Sequence, residues 1–125
     1  MAAKKILIID DNQDFTALLG LKMRARGYDV VIAHDGEEGF KKVRTESPNL
    51  ILLDIKMPGM DGFTFVRRLK ADTALEKPPV IILTGFEPMR DLFKLEGVAG
   101  YFVKGDDTAL LTKSIEAILL SEKIP

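Results

Sequence analysis

Leu50-Ile51-Leu52-Leu53-Asp54-Ile55-Lys56-Met57-Pro58-Gly59-Met60-Asp61-Gly62 is the stretch whose reading decides the fold. It opens as a short aliphatic run without polar alternation, bounded by turn signals, and such a run predicts a strand buried on both faces, as in a parallel sheet. The run ends on a carboxylate, Asp54, and the Pro58-Gly59 turn that follows cannot continue a strand. An acid is therefore expected at the carboxyl end of a central strand. In open parallel sheets, ligands bind at that edge.

The same pattern recurs on either side. Ile6 to Ile9 predicts a first buried strand, ending on Asp10 and Asp11. After Asn12-Gln13-Asp14, the apolar residues Phe15, Leu18, Leu19 and Met23 mark one face of a helix that Gly27 stops. Tyr28 to Ile32 predicts a second strand. Asp35 and Glu38 form a candidate capping box for a helix running to about Thr45, which Ser47-Pro48 breaks. Beyond the central strand, Asp61 is the expected cap of a third helix that turns Phe65, Val66 and Leu69 inward. Leu75 to Pro79 is expected to be a loop, since it carries two consecutive prolines. Val80 to Leu83 predicts a fourth strand ending at Thr84, and Met89 to Leu95 a short fourth helix. Tyr101 to Val103 predicts a fifth strand ending at Lys104. A last helix follows, with Leu111, Ile115, Ile118 and Leu119 at helical spacing.

Alternating strands and helices imply an α/β fold, with a parallel sheet covered on both faces by right-handed crossovers. If the strands are parallel, the polar residues at their ends emerge along one edge: Asp10 and Asp11, Asp54, Thr84 and Lys104. The 125 residues suit one domain, 1–125, and no repeat or linker divides them. A net charge of −1 provides no global field towards nucleic acid or anionic membrane. The absence of cysteine removes disulfides, thiolate catalysis and cysteine-based zinc sites. The apolar segment near the N-terminus is too short for a signal peptide or a membrane span, so a soluble cytoplasmic protein without membrane insertion is expected.

Three carboxylates in one pocket repel one another and would raise at least one pKa. A hard divalent cation relieves this, and oxygen-only donors favour Mg²⁺ (or Mn²⁺) over zinc. A metal beside a carboxylate, a hydroxyl and an ammonium meets the needs of phosphoryl transfer, in which a carboxylate can be the nucleophile.

Four motifs now stand in order at the strand ends: Asp10-Asp11; Leu53-Asp54-x-x-Met57-Pro58-Gly59-Met60-Asp61-Gly62; Leu83-Thr84-Gly85; and Gly100-Tyr101-Phe102-Val103-Lys104. Together they resemble the receiver domain of two-component response regulators, in a layout similar to the stand-alone chemotaxis receiver. The resemblance spans essentially the whole chain. It implies a doubly wound, flavodoxin-like sheet of five parallel strands in the order 2-1-3-4-5, with five helices. Asp54 would accept a phosphoryl group from a phosphohistidine of a sensor histidine kinase or phosphotransfer protein. Asp11 and Asp54 would hold Mg²⁺, with Asp10 acting through water and the backbone carbonyl of Lys56 as a further ligand. Thr84 and Lys104 would contact the phosphoryl oxygens, and Tyr101 would turn inward once Thr84 has moved. The switched surface would be formed by the fourth helix, fifth strand and last helix. It would act on a downstream protein or output domain, with a homodimer as another possible assembly and no direct contact with nucleic acid. Such a domain phosphorylates and dephosphorylates itself without turning over an external product, and so is not an enzyme in the usual sense.

This sequence departs from the family after Lys104, where Gly105 stands in place of a usual proline whose peptide bond is often cis. The segment between Thr84 and Lys104 is also slightly short. Lys56 and Phe86, each two positions beyond a site residue, flank the expected approach of water. Bulky Phe86 is expected to slow hydrolysis of the acyl phosphate, so Phe86→Ala should dephosphorylate faster than the wild type; equal rates would reject this.

Other readings compete. A carrier of a flavin phosphate needs a phosphate-cradling loop after the first strand, where Asp10-Asp11-Asn12 would repel phosphate. An aspartyl phosphatase of the haloacid-dehalogenase group wants a second acid two positions after the nucleophile, where Lys56 stands. No Walker or GxGxxG motif supports a nucleotide enzyme. A docking receiver inactive in phosphotransfer, and a piece of a larger regulator or hybrid kinase, are the remaining alternatives.

Overall fold

The computed structural model describes residues 3–75, 77–84, 97–105 and 107–121. Five strands, β1 (Lys5–Ile9), β2 (Asp29–Ala33), β3 (Leu50–Asp54), β4 (Val80–Thr84) and β5 (Gly100–Val103), form one sheet in the order β2-β1-β3-β4-β5. Every neighbouring pair is parallel. Among the described residues there are four helices: α1 (Gln13–Ala25), α2 (Gly36–Glu46), α3 (Gly62–Ala71) and α4 (Thr108–Ser121). The predicted helix over Met89 to Leu95 lies outside the described residues. No helix among them is long and apolar enough to cross a membrane.

The aliphatic runs take the central places because only there are both faces of a strand covered. All five residues of β3 and of β4 are buried, Asp54 and Thr84 included. Strand period two divides their side chains between two cores. Leu7, Ile9, Ile51, Leu53 and Ile82 pack with Phe40, Val43, Phe65, Val66 and Leu69 of α2 and α3. Ile6, Ile8, Leu50, Leu52, Ile81 and Leu83 pack with Leu19 and Met23 of α1 and Leu111, Ile115 and Leu119 of α4.

Two local readings change. Leu18 was expected on the inner face of the first helix but is 56% exposed. The buried positions are Thr16, Leu19, Gly20 and Met23, and a face centred on them turns Leu18 to solvent. The capping box is only half formed: Asp35 accepts from the Glu38 amide at 2.8 Å, whereas the Glu38 carboxylate accepts from the His34 amide at 2.7 Å, one residue before the cap. Asp61 caps α3 as expected, accepting from the Thr64 amide at 2.8 Å. The basic residues of α2 and α3 are not all simply solvated. Lys42 donates to the Ile32 carbonyl at 2.7 Å, and the Arg44 and Arg68 guanidinium groups lie over the buried Phe40 ring.

Candidate functional site

Parallel pairing does what the sequence required of it. Ile9 is paired with Leu53, Asp54 with Leu83, and Thr84 with Val103, so β1, β3, β4 and β5 end side by side. Asp10 follows the first of these ends, held by its amide to the Ala33 carbonyl at 3.0 Å. One carboxylate oxygen from each of Asp10, Asp11 and Asp54 lies within 4.8 Å of the others. Asp10 and Asp54 are buried while Asp11 is exposed, so the cluster opens to solvent on one side.

Lys104 enters from the next strand end, its amide donating to the Thr84 carbonyl. Its ammonium lies 2.6 Å from Asp10 Oδ2 and 3.6 Å from Asp54 Oδ1. The shorter contact is an ion pair without the angle of a directed hydrogen bond, and Asp10 Oδ2 has no hydrogen-bond partner among the described residues. The other oxygen, Oδ1, accepts from the Asn12 amide at 3.0 Å. Burial foremost, and next the charge of Asp10, push the Asp54 carboxyl up from 3.8 to about 6; Lys104 acts in the opposite direction.

The residues fit a hard divalent cation. A buried carboxylate oxygen without a hydrogen-bond partner, two neighbouring acids and a donor set of oxygen alone are what Mg²⁺ selects. Lys56, whose carbonyl was the expected further ligand, lines a cleft of about 510 Å³ with Asp11, Met57, Pro58 and Asp61. The turn that carries it is fixed from below: Gly62 donates to the Ile55 carbonyl at 2.8 Å.

Thr84 is 2% exposed at the end of β4, and Tyr101 is half-buried against the core on the α2 and α3 face, paired in register with Ile82. Tyr101 and Thr84 therefore stand two residues apart along one side of the β4–β5 pair. Gly85 and Phe86 lie outside the described residues.

At Lys104–Gly105 the peptide bond is trans, since the structure has no cis bond among the described residues, and Gly105 adopts φ +100°. Glycine thus supplies the loop's unusual backbone by a left-handed conformation. A Cβ there would meet nothing within 4 Å, so only the backbone opposes a side chain. Gly105→Ala should cost about 1 kcal/mol in urea unfolding; a loss well beyond that would mean a packing role.

Sequence reasoning missed two neighbours of the site. His34, the chain's one histidine and part of no motif in the sequence, is exposed but brings Nδ1 to 3.1 Å from the Asp10 carbonyl. Phe15, read only as part of a helix face, places its ring centroid 4.5 Å from the Lys104 ammonium. No local pattern links positions that far apart in the chain.

Residues 6–116 match the family described as the response regulator receiver domain. The chain belongs to that family. Over 117 residues this receiver is 35% identical to Protein PilH of Pseudomonas aeruginosa, covering 92% of this chain and 97% of PilH. It is also 35% identical over 123 residues to the alkaline phosphatase synthesis transcriptional regulatory protein PhoP of Bacillus subtilis, covering 97% of this chain. The receiver spans only 50% of that regulator, 14% of the gliding motility regulatory protein of Myxococcus xanthus and 25% of PleD of Caulobacter vibrioides. Among solved structures, a CheY-like receiver domain protein of Methanospirillum hungatei superposes with a TM-score of 0.87 at 30% identity, covering 98% of each chain. The response regulator TrrA of Thermotoga maritima, solved in complex with Mg²⁺-BeF, gives 0.83 at 27% identity over 92% of this chain and 98% of its own. As a receiver of two-component systems, the domain belongs to a signalling class that works with histidine kinases or phosphotransfer proteins and with output domains.

Proposed function

We propose that this receiver is a phosphorylation-dependent switch whose acceptor is Asp54. The observation that carries the reading is the convergence of buried Asp54 and Asp10, half-buried Lys104 and exposed Asp11 at one sheet edge. Asp54 is the only one of the three acids at the end of the central strand, where β1 and β4 cover it on both sides. A carboxylate oxygen of Asp54 attacks phosphorus and a new O–P bond forms. The bond from phosphorus to the donor's leaving atom breaks, and its electron pair departs with the donor. Lys104 supplies positive charge to the phosphoryl oxygens and Thr84 a hydroxyl donor. Asp10, Asp11, Asp54 and the Lys56 carbonyl would hold Mg²⁺, which when bound neutralises charge around the transferring group.

The domain takes its phosphoryl group from a sensor histidine kinase or phosphotransfer protein. It then alters the surface that includes β5 and α4, with Thr84 and Tyr101 as the moving pair, to control a downstream protein or output domain. Phosphorylation adds nearly two negative charges and acceptor oxygens beside the Lys104 ammonium, and the equilibrium shifts to the state that contacts them better. The chemistry is self-phosphorylation and self-dephosphorylation, without an external product.

Incubation with acetyl phosphate and Mg²⁺ should add the mass of one phosphoryl group to the intact protein. Excess EDTA should abolish the addition. An unmodified protein that also fails to respond to beryllofluoride would leave the docking-only reading in its place.

A further inference from the structure

We propose that Phe15 is the positioning residue for Lys104: its ring face holds the ammonium between Asp10 and Asp54, so that aromaticity, beyond apolar bulk, sets the rate at which Asp54 is phosphorylated. The inference rests on Asp54 being the phosphoryl acceptor.

Lys104 has a long, flexible stem, and although its amide is tied to the Thr84 carbonyl, the backbone bond does not fix where the ammonium lies. It leaves the sheet just after β5, and the next residue, Gly105, has left-handed φ and no neighbour within 4 Å of a would-be Cβ. The side chain's own contacts must therefore place its charge. Two of them are acids at unequal distances, 2.6 Å to Asp10 and 3.6 Å to Asp54. The ammonium is in full contact with the buried oxygen of Asp10 and stands short of the reacting carboxylate, so its distance to Asp54 depends on what else it touches. The third contact is the Phe15 ring, 4.5 Å from Nζ to centroid. A cation over an aromatic face is attracted by the ring quadrupole, an interaction that an aliphatic side chain of similar size lacks.

The ring is itself held. Its backbone amide donates to the Asn12 cap of α1 at 3.0 Å, and the side chain packs against the core that includes Ile8, Leu52, Leu83 and Phe102. These residues share a sheet face with the strand positions leading to Asp10, Asp54 and Lys104. Phe15 thus belongs to the rigid part of the fold, and Lys104 to its adjustable part.

The test compares Phe15→Leu with Phe15→Tyr, each in the wild-type and Lys104→Met backgrounds, by intact-mass time courses with acetyl phosphate and Mg²⁺. Phe15→Leu is expected to slow phosphorylation roughly three- to ten-fold, the scale of a partly desolvated cation–π contact. Phe15→Tyr should restore the rate to within about two-fold of wild type, since tyrosine keeps the quadrupole. In the Lys104→Met background, the leucine and tyrosine variants should match. In NMR spectra of the unphosphorylated protein, the Lys104 Cε protons should be ring-shifted in wild type and Phe15→Tyr, and return to ordinary positions in Phe15→Leu. A leucine variant as fast as wild type overturns the proposal, as does an equal slowing by leucine in both backgrounds, which would make Phe15 a packing residue. Wild-type protein that takes up no phosphoryl group overturns the acceptor reading itself, and the kinetic role of Phe15 with it.

Discussion

Asp54→Asn should take phosphoryl uptake from one group per chain to none, while making the metal-free protein more stable. The amide cannot form the acyl phosphate, and Asp10 and Asp11, though within reach of the same space, do not stand at the end of the central strand. Intact mass after acetyl phosphate and Mg²⁺ reads the first effect; a residual full addition would move the acceptor to another acid. The second effect follows from electrostatics. The folded-state carboxyl of Asp54 sits at about 6 against an ordinary 3.8, so the native state binds the proton more tightly than the unfolded chain. Stability is then lost as pH rises from about 3.8 to about 6 and stays lower above that window. Removing the charge should recover about 1–2 kcal/mol at pH 7.5, less than the full shift implies because the acidic cluster opens to solvent on one side, which screens the charge. The gain should fade towards pH 4, where wild-type Asp54 is already neutral. Urea unfolding of both proteins across this range is the measurement. A gain that persists unchanged at pH 4 would show that charge is not its source. Mg²⁺ should narrow the difference by stabilising the wild type more than the variant, which keeps Asp10 and Asp11 but has lost one carboxylate.

Gly62→Ala is expected to be the most damaging small substitution, at about 2–3 kcal/mol. A Cβ at Gly62 would stand 2.7 Å from the Asp54 carbonyl oxygen and 2.9 Å from the Ile55 Cα, both backbone atoms that no rotamer change can move. The start of α3 would be pushed from the end of β3, and Asp54 displaced with it, so phosphorylation should slow as well. Gly59→Ala is the matched control. Gly59 has φ +81° but no neighbour within 4 Å of a Cβ, so alanine there costs only about 1 kcal/mol of backbone strain. Equal urea midpoints for the two variants would mean that the loop yields at Gly62 and that close approach does not fix the site.

The parallel sheet and its acidic edge were legible in the sequence because the cause is local. A run such as Leu50 to Leu53 is stable only with both faces covered, and a carboxylate followed by Pro58-Gly59 can end such a strand in only a few ways. Asp10, Asp54, Thr84 and Lys104 could thus be assigned to one edge once the strands were taken as parallel. The caps at Asp35 and Asp61 were legible for the same reason, since a cap bonds within its own first turn. Leu18 was misplaced because apolar character does not say where a helix meets its sheet; the packing of Leu19 and Met23 against the core decides that rotation.

What only the tertiary structure decided depends on distances between remote segments. The pKa of Asp54 comes from burial under neighbouring strands and from the charge of Asp10. Gly62 matters because it abuts the backbone of β3, and Phe15 because its helix brings a ring under a lysine from the far end of the chain. The sequence by itself determined which chemical groups are present and at which strand ends they stand. The tertiary fold determined how close they come, and Coulombic and desolvation energies turn those distances into reactivity.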